Sequence, residues 1–454
     1  MHVEIIETKS LGNRGYLVHD GKNALAIDVQ RDFERWLDVA KEYDVTITHV
    51  FETHIHNDYV TGGYKLAQQL AAEYIVPTDT DVSFDAVLAA DGDTYTCGSL
   101  NVEAVHTPGH TPHHMSFAVS DNADTAVFTG GGVLYGTVGR PDLVSKDMTK
   151  PLAQAQYESA QKLKEALPES SKVYPTHGFG SFCSSSPGSG ANHSTIADEL
   201  QTNIAYTSKD KKQFVTAILA GLEPYPVYYK HMAGRNKAGP ESLVIKQPTG
   251  LDAKKLKSFL KDDNYWVIDI RSREKYATSH PTSSVHFEYG DSFATYVGWV
   301  IPWGDKLLLA GDSAELLEEA QIQLGRIGMD EFVDQVTDDL STYLKQVNQS
   351  TLKLARFGDI PLNATKKAVS DKITLLDTRA KSEWTASHIS GSVNIPFHDV
   401  LKFHKKIENT KQVWVHCASG YRSSVAAGLL DKLGYDVVAI NDNFDNVPVE
   451  LLST

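Results

Sequence analysis

Cys417-Ala418-Ser419-Gly420-Tyr421-Arg422-Ser423 sets a thiol, three small residues and an arginine within one short stretch. The thiolate is the nucleophilic form of cysteine, and a nearby cation or a helix N-terminus favours it over the thiol. The stretch is therefore expected to hold a sulfur-centred anion. Cys417 is the nucleophile, Arg422 supplies charge, and Ala418, Ser419, Gly420, Tyr421 and Ser423 surround the bound group. A second set of residues has the chemistry of metal ligands: His54, His56 and Asp58 alternate in Thr53-His54-Ile55-His56-Asn57-Asp58-Tyr59. Imidazole and carboxylate at that spacing on a strand-end loop are the material of metal sites. The bland alternatives are a buried structural cysteine and hydrogen-bonded core histidines.

Both sets need strands that end where the chemistry begins. Val413, Trp414 and Val415 read as a buried strand, and residues 423–433 as a helix that buries Val425, Leu429, Leu430 and Leu433 at helical spacing. Residues 48–52 form the strand that delivers His54. Upstream of residue 245, short strands alternate with turns and helical stretches such as residues 33–43. Asp269-Ile270-Arg271 is answered by Asp377-Thr378-Arg379, each at the end of an apolar run. Two copies of one α/β unit are thus expected. The first copy has Lys306-Leu307-Leu308-Leu309-Ala310 followed by Gly311-Asp312-Ser313, with Asp312 read in the place of the thiol. An acidic residue there cannot carry sulfur and repels anions, so this copy reads as a scaffold.

Four residues separate Cys417 from Arg422, against five in protein tyrosine phosphatases, so the cradle is smaller than one for phosphate. This spacing resembles the active loop of rhodanese sulfurtransferases, in which the cysteine carries a persulfide sulfur. Leu375-Leu376-Asp377-Thr378-Arg379, Glu383 and His388-Ile389-Ser390-Gly391-Ser392-Val393-Asn394-Ile395-Pro396 match the flanking pattern of that family. Asn441 and Asn443 depart from it, standing where the family carries a Gly-Gly turn.

Composition narrows the field. The chain has 454 residues, 41% of them hydrophobic, and a formal charge of −15. That is room for about three domains and gives no electrostatic footprint for nucleic acid or anionic lipid. No apolar run approaches a membrane span, and the start lacks a signal sequence. Cys97, Cys183 and Cys417 are too few and too scattered for a disulfide framework. A cytoplasmic protein with free thiols, working on small molecules, is expected.

His106-Thr107-Pro108-Gly109-His110-Thr111 and Pro175-Thr176-His177-Gly178, following the His54 segment in order, resemble the metallo-β-lactamase fold. Gly139-Arg140-Pro141-Asp142-Leu143 is similar to a stretch of its persulfide dioxygenase branch, members of which carry rhodanese domains on the same chain. The resemblance implies an α/β multidomain protein: an αββα metallo-β-lactamase-like domain (1–247), then two α/β rhodanese-like domains, one lacking the active cysteine (248–348) and one with Cys417 (352–454). That branch binds one Fe(II) through two histidines and an aspartate. His54 and His110 match, but Gly131 falls at the aspartate, and Tyr59 at a further histidine of the wider family. A face of His54, His56 and His110 would instead hold one Fe(II) or Zn(II), with Asp58, Tyr59, His113, His114 or His177 assisting. The resemblance also makes Cys183 a persulfide holder near the metal and Arg140 a substrate contact. Cys97, in a turn, is structural.

The function implied is an enzyme of sulfide and persulfide metabolism, transferring sulfur through Cys417. Its partners are thiosulfate and small thiols and persulfides, glutathione or similar, and a homo-oligomer is compatible with the resemblance. Two alternatives stand beside it. One is a metal-dependent thioester or lactone hydrolase with regulatory rhodanese modules; the other is a non-catalytic sulfur-carrier scaffold.

Overall fold

A computed structural model describes residues 1–363 and 369–453. The chain divides into two compact units, residues 1–244 with 325–328, and residues 245–324 with 329–454.

In the first unit, period-two alternation along the strands creates two sheets with an apolar face toward each other. The six-stranded sheet runs in the order His2–Thr8, Asn13–His19, Asn23–Ile27, Thr46–Phe51, Glu73–Pro77 and Val87–Ala89. The five-stranded sheet runs Lys172–Pro175, Thr125–Gly130, Met115–Ser120, Leu100–His106 and Thr94–Cys97. Tyr16, Val18, Leu25, Ile27 and Phe51 of one meet Val102, Ala104, Met115, Phe117 and Phe128 of the other. The alternate residues Leu17, Ala24, Ala26 and Val50 face outward and are covered by Trp36 and Leu66, from the helices Glu34–Glu42 and Gly63–Leu70. On the far side Val105, Val127 and Val173 pack against Ala153, Ala160 and Leu163 of the helix Thr149–Ala166. The result is an αββα sandwich, and all strands that lead to the expected ligands end at one edge.

The second unit holds two parallel sheets. One is ordered Val285–His286, Tyr265–Asp269, Lys306–Ala310, Val333–Thr337; the other Lys353–Ala355, Val437–Ile440, Gln412–His416, Ile373–Asp377, Val393–Asn394. One device recurs in both. Arg271 grips the Asp269 carboxylate through Nε and Nη2 and donates to the Ser279 carbonyl at 2.8 Å; Arg379 does the same to Asp377 and to Ser387 at 2.7 Å. Each pair ties the end of a central strand to the end of the following short helix.

Two details correct the sequence reading. Asp377 pairs with His416 and Asp269 with Ala310, so the position corresponding to Cys417 is Gly311, with Asp312 one residue beyond. Asp312 instead forms an ion pair with Lys275. The helix after the thiol loop spans Tyr421–Lys432, and Leu433, just past its end, is 39% exposed rather than buried. Among the described residues no helix is long and apolar enough to cross a membrane.

The Asp377 side chain is fully buried and that of Arg379 nearly so. Asp377→Ala leaves a buried guanidinium without its counter-charge and is expected to destabilise the second unit by about 3–5 kcal/mol, read from denaturant unfolding by tryptophan fluorescence.

Candidate functional site

Four strand ends converge in the first unit. His54, His56 and Asp58 follow Thr46–Phe51, His110 follows Leu100–His106, Gly131 follows Thr125–Gly130, and His177 follows Lys172–Pro175. All four histidines and Asp58 are buried.

Hydrogen-bond partners fix which ring nitrogen of each histidine is free. Thr53 Oγ1 donates to Asp28 Oδ2 at 2.8 Å, so toward His54 Nδ1, at 2.9 Å, it accepts. His110 Nδ1 donates to the Arg140 carbonyl at 2.8 Å, and His177 Nδ1 to Asn13 Oδ1 at 3.0 Å. Each ring thus spends its proton on the protein and turns an Nε2 lone pair inward, the arrangement that outer partners impose on metal-binding imidazoles. One ring nitrogen from each of His54, His110 and His177 lies within 4.8 Å of the others. The Nε2 atoms of His54 and His177 are 3.3 Å apart, and Nε2 of His110 is buried with no hydrogen-bond partner. Burial, then the charges of neighbouring imidazoles, pushes all three below the usual histidine range, His110 to about 3. Three converging acceptors that resist protonation fit a single cation.

His56 does not join them, and the expected face of His54, His56 and His110 is not formed. Its Nε2 lies 3.1 Å from Glu52 Oε2 and 3.2 Å from Asp28 Oδ1, and its ring stacks on Tyr59 at 4.2 Å. Burial alone would lower its affinity for protons, but the Asp28 and Glu52 carboxylates outweigh it and raise the pKa to about 10. His56 also comes near Asp28 with His54, and near Asp58 with His177. The Asp28 and Glu52 carboxylates, however, favour the charged ring, which would have no lone pair to offer. Asp58 accepts from Asn13 Nδ2 at 2.7 Å and stands 3.4 Å from His177 Nδ1, a position from which it orients the ring.

Gly131 is more than a missing ligand. A Cβ there would meet His110 Cδ2 and Cγ, the latter at 2.5 Å, so the imidazole fills the volume into which an aspartate would project. His114 is held apart, its Nδ1 on Thr107 Oγ1 at 2.9 Å and its Nε2 accepting the Gly131 N–H at 3.0 Å. A cavity of about 290 Å³, lined by Tyr135, Phe179 and Asn192 among others, reaches His177.

Cys183 is buried, and burial pushes its thiol well above the usual range; Tyr229 is its hydrogen-bond partner at 3.9 Å. Arg140 spends its donors on Asp142 at 2.7 and 2.8 Å and on the carbonyls of Phe182 and Glu223, while its N–H holds the Cys183 carbonyl. It braces this loop rather than presenting a free charge to a substrate.

In the second unit, Cys417 leaves the strand Gln412–His416 and is 2% exposed. The Gly420 N–H donates to Sγ at 3.2 Å, and Ser423 Oγ lies 3.7 Å from it. Gly420 has φ +94° and caps the helix that begins at Tyr421. The Ala418 carbonyl accepts from the Phe444 N–H, and the Tyr421 hydroxyl donates to the Glu288 carbonyl. Arg422 is paired in two-pronged fashion with Glu383, at 2.6 and 2.9 Å. Burial disfavours its charge, but Glu383 more than compensates and keeps it cationic. The charge that Arg422 was expected to supply thus stands as an ion pair with Glu383 beside the loop.

Residues 26–177 match the metallo-beta-lactamase superfamily, and residues 362–446 the rhodanese-like domain. The chain carries a metallo-beta-lactamase-fold domain followed by a rhodanese-like domain. A solved metallo-beta-lactamase from Staphylococcus aureus subsp. aureus COL is 26% identical with a TM-score of 0.67, over 74% of this chain and 98% of that one. A probable polyketide biosynthesis zinc-dependent hydrolase, BaeB, from Bacillus velezensis is 28% identical over 45% of this chain and 85% of its own. A hydroxyacylglutathione hydrolase from Rhizobium johnstonii is 32% identical over 37% of this chain, and the match spans 62% of that relative.

Sequence reasoning missed Asp28, Glu52, Asn13 and Thr53, which have no motif of their own and act through His54, His56 and His177. In Zn(II)-loaded full-length chain, Gly131→Ala is expected to weaken metal retention roughly ten- to hundredfold by displacing His110, measured by competition with a chromophoric chelator. His113→Asn, outside the converging set, is expected to leave retention unchanged.

Proposed function

We propose that the chain is a sulfurtransferase of sulfide and persulfide metabolism, working through a persulfide on Cys417. The observation that carries this reading is the thiol at a strand end with an N–H on its sulfur and a charged Arg422 alongside. In the forward step the Cys417 thiolate attacks the outer sulfur of thiosulfate or a small persulfide. The donor's S–S bond breaks, and sulfite or the thiolate leaves with the electron pair. A small thiol such as glutathione, as thiolate, then attacks the terminal sulfur, takes it as a persulfide and returns Cys417 to the thiolate. The Gly420 N–H holds negative charge at Sγ in the thiolate that attacks and that is restored at the end, and Arg422 lowers the cost of the incoming anion. The setting we propose is the cytoplasm, and residues 248–348 are read as a cysteine-free rhodanese-like copy on the strength of the shared Asp-x-Arg clamp.

His54, His110 and His177 would hold one Zn(II) or Fe(II) in the first domain. When bound, such an ion supplies Lewis-acid polarisation of a sulfur or oxygen ligand. The protein's own part is to keep the three rings neutral and oriented and to admit small molecules by the cavity beside His177. We assign this domain to persulfides related to those that pass through Cys417. The names of the two hydrolase relatives favour a second reading, hydrolysis of a thioester or lactone at the same centre. Oxygen uptake on glutathione persulfide supports the first; turnover of a thioester without oxygen supports the second.

Cys417→Ser is expected to abolish uptake of labelled sulfur from thiosulfate while leaving the metal content of the first domain unchanged. An unlabelled wild-type protein overturns the assignment.

A further inference from the structure

The N–H that reaches Cys417 belongs to the peptide between Ser419 and Gly420, and the oxygen of that same peptide is gripped from the other half of the unit. Arg273 Nη1 donates to the Ser419 carbonyl at 3.2 Å, while the Gly420 N–H at the opposite end of the group donates to Sγ at 3.2 Å. A trans peptide is rigid, with C=O and N–H pointing in opposite directions. A cation on the oxygen therefore fixes which way the N–H faces and polarises it further toward the sulfur. Turned over, the group would present its carbonyl to a sulfur anion.

Arg273 is itself fixed. Glu288 holds its Nε at 2.7 Å, and Asn441 Oδ1 accepts from Nη1 at 3.3 Å. Asn441 in turn donates to Glu274 at 2.9 Å. This gives a use to a residue that departs from the pattern of the rhodanese family. The fit is close: a Cβ on Gly420 would lie 2.5 Å from Asn441 Oδ1 and 2.6 Å from Arg273 Nη1. Apart from Arg273, the charged or titratable groups around the thiol loop among the described residues include Arg422, Glu383, His416, Tyr421, Glu288, Glu274 and Tyr296. Arg422 is bound by Glu383, whereas Arg273 makes its contact with the loop backbone.

We propose that Arg273, from the half that lacks a cysteine, is a positioning residue for sulfur transfer, holding the Ser419–Gly420 peptide so that its N–H stabilises the anion on Cys417. This rests on the sulfurtransferase reading for its purpose, but the loop geometry can be tested without turnover.

The experiment follows alkylation of Cys417 by iodoacetamide in the full chain, with the modified peptide quantified by mass spectrometry. Arg273→Met is expected to slow alkylation roughly tenfold at pH 7 and to match wild type at pH 10, above the ordinary range in which thiols titrate. Arg273→Lys, which keeps a cation, is expected to recover most of the loss, and Asn441→Ala to show a smaller loss of the same pH form. Equal rates in wild type and Arg273→Met at pH 7 overturn the proposal, as does a slowing of equal size at both pH values, which would mark general damage. A protein that shows the expected alkylation pattern yet takes no sulfur from thiosulfate sinks the sulfurtransferase reading and leaves the positioning role standing.

Discussion

The first unit depends on where three protons sit. If His54, His110 or His177 carried its hydrogen on the inward nitrogen, or on both, the cluster would repel a cation. A threonine hydroxyl, a backbone carbonyl and an asparagine amide prevent this by accepting from the outer nitrogens. The threonine is in turn set by Asp28, which takes both its hydroxyl and its N–H. One buried carboxylate thus propagates through a hydroxyl to the tautomer of a ring, because buried polar groups must be paired and each has few ways to be so. Asp28 is also one of the two carboxylates that keep His56 charged, so the same residue helps make one histidine a cation and its neighbour but one a neutral acceptor.

This division explains why the loss of Asp at position 131 does not leave a simple hole. Asp28 and Glu52 favour the charged form of His56, and the His110 ring leans into the volume that glycine leaves. The same economy of charge governs the second unit, where buried Arg379 is paired with Asp377, and partly buried Arg271 and Arg422 with Asp269 and Glu383, since a guanidinium taken out of water is tolerable when paired.

What the sequence showed clearly was local. The thiol loop, its strand and its helix lie within about twenty residues, and hydrophobic spacing together with small residues announces them. The order of the histidine segments announced the sandwich. The ligand set was not legible, because it depends on orientation: His56 has as good a spacing as His54, and only Glu52 and Asp28, the latter on another strand end, turn it away. Gly311 was missed for a related reason. A one-residue register offset between two sheets cannot be counted without their pairing, so Asp312 was placed where a glycine stands. Asn441 read as a lapse from a family pattern, whereas its partner Arg273 is 168 residues distant.

Under the proposed sulfurtransferase reading, charge also sets how the protein would meet its substrates. At −15 overall, the chain's long-range field opposes the approach of thiosulfate and of ionised persulfides. Attraction must then be local, and a loop amide, a peptide polarised by Arg273 and a paired Arg422 are short-range devices. Added salt screens the distant repulsion within about 10 Å at 0.1 M while acting less on groups that are largely buried. On that reading, capture of an anionic sulfur donor gains from moderate ionic strength, the opposite of the behaviour of an enzyme that draws anions in with a basic surface.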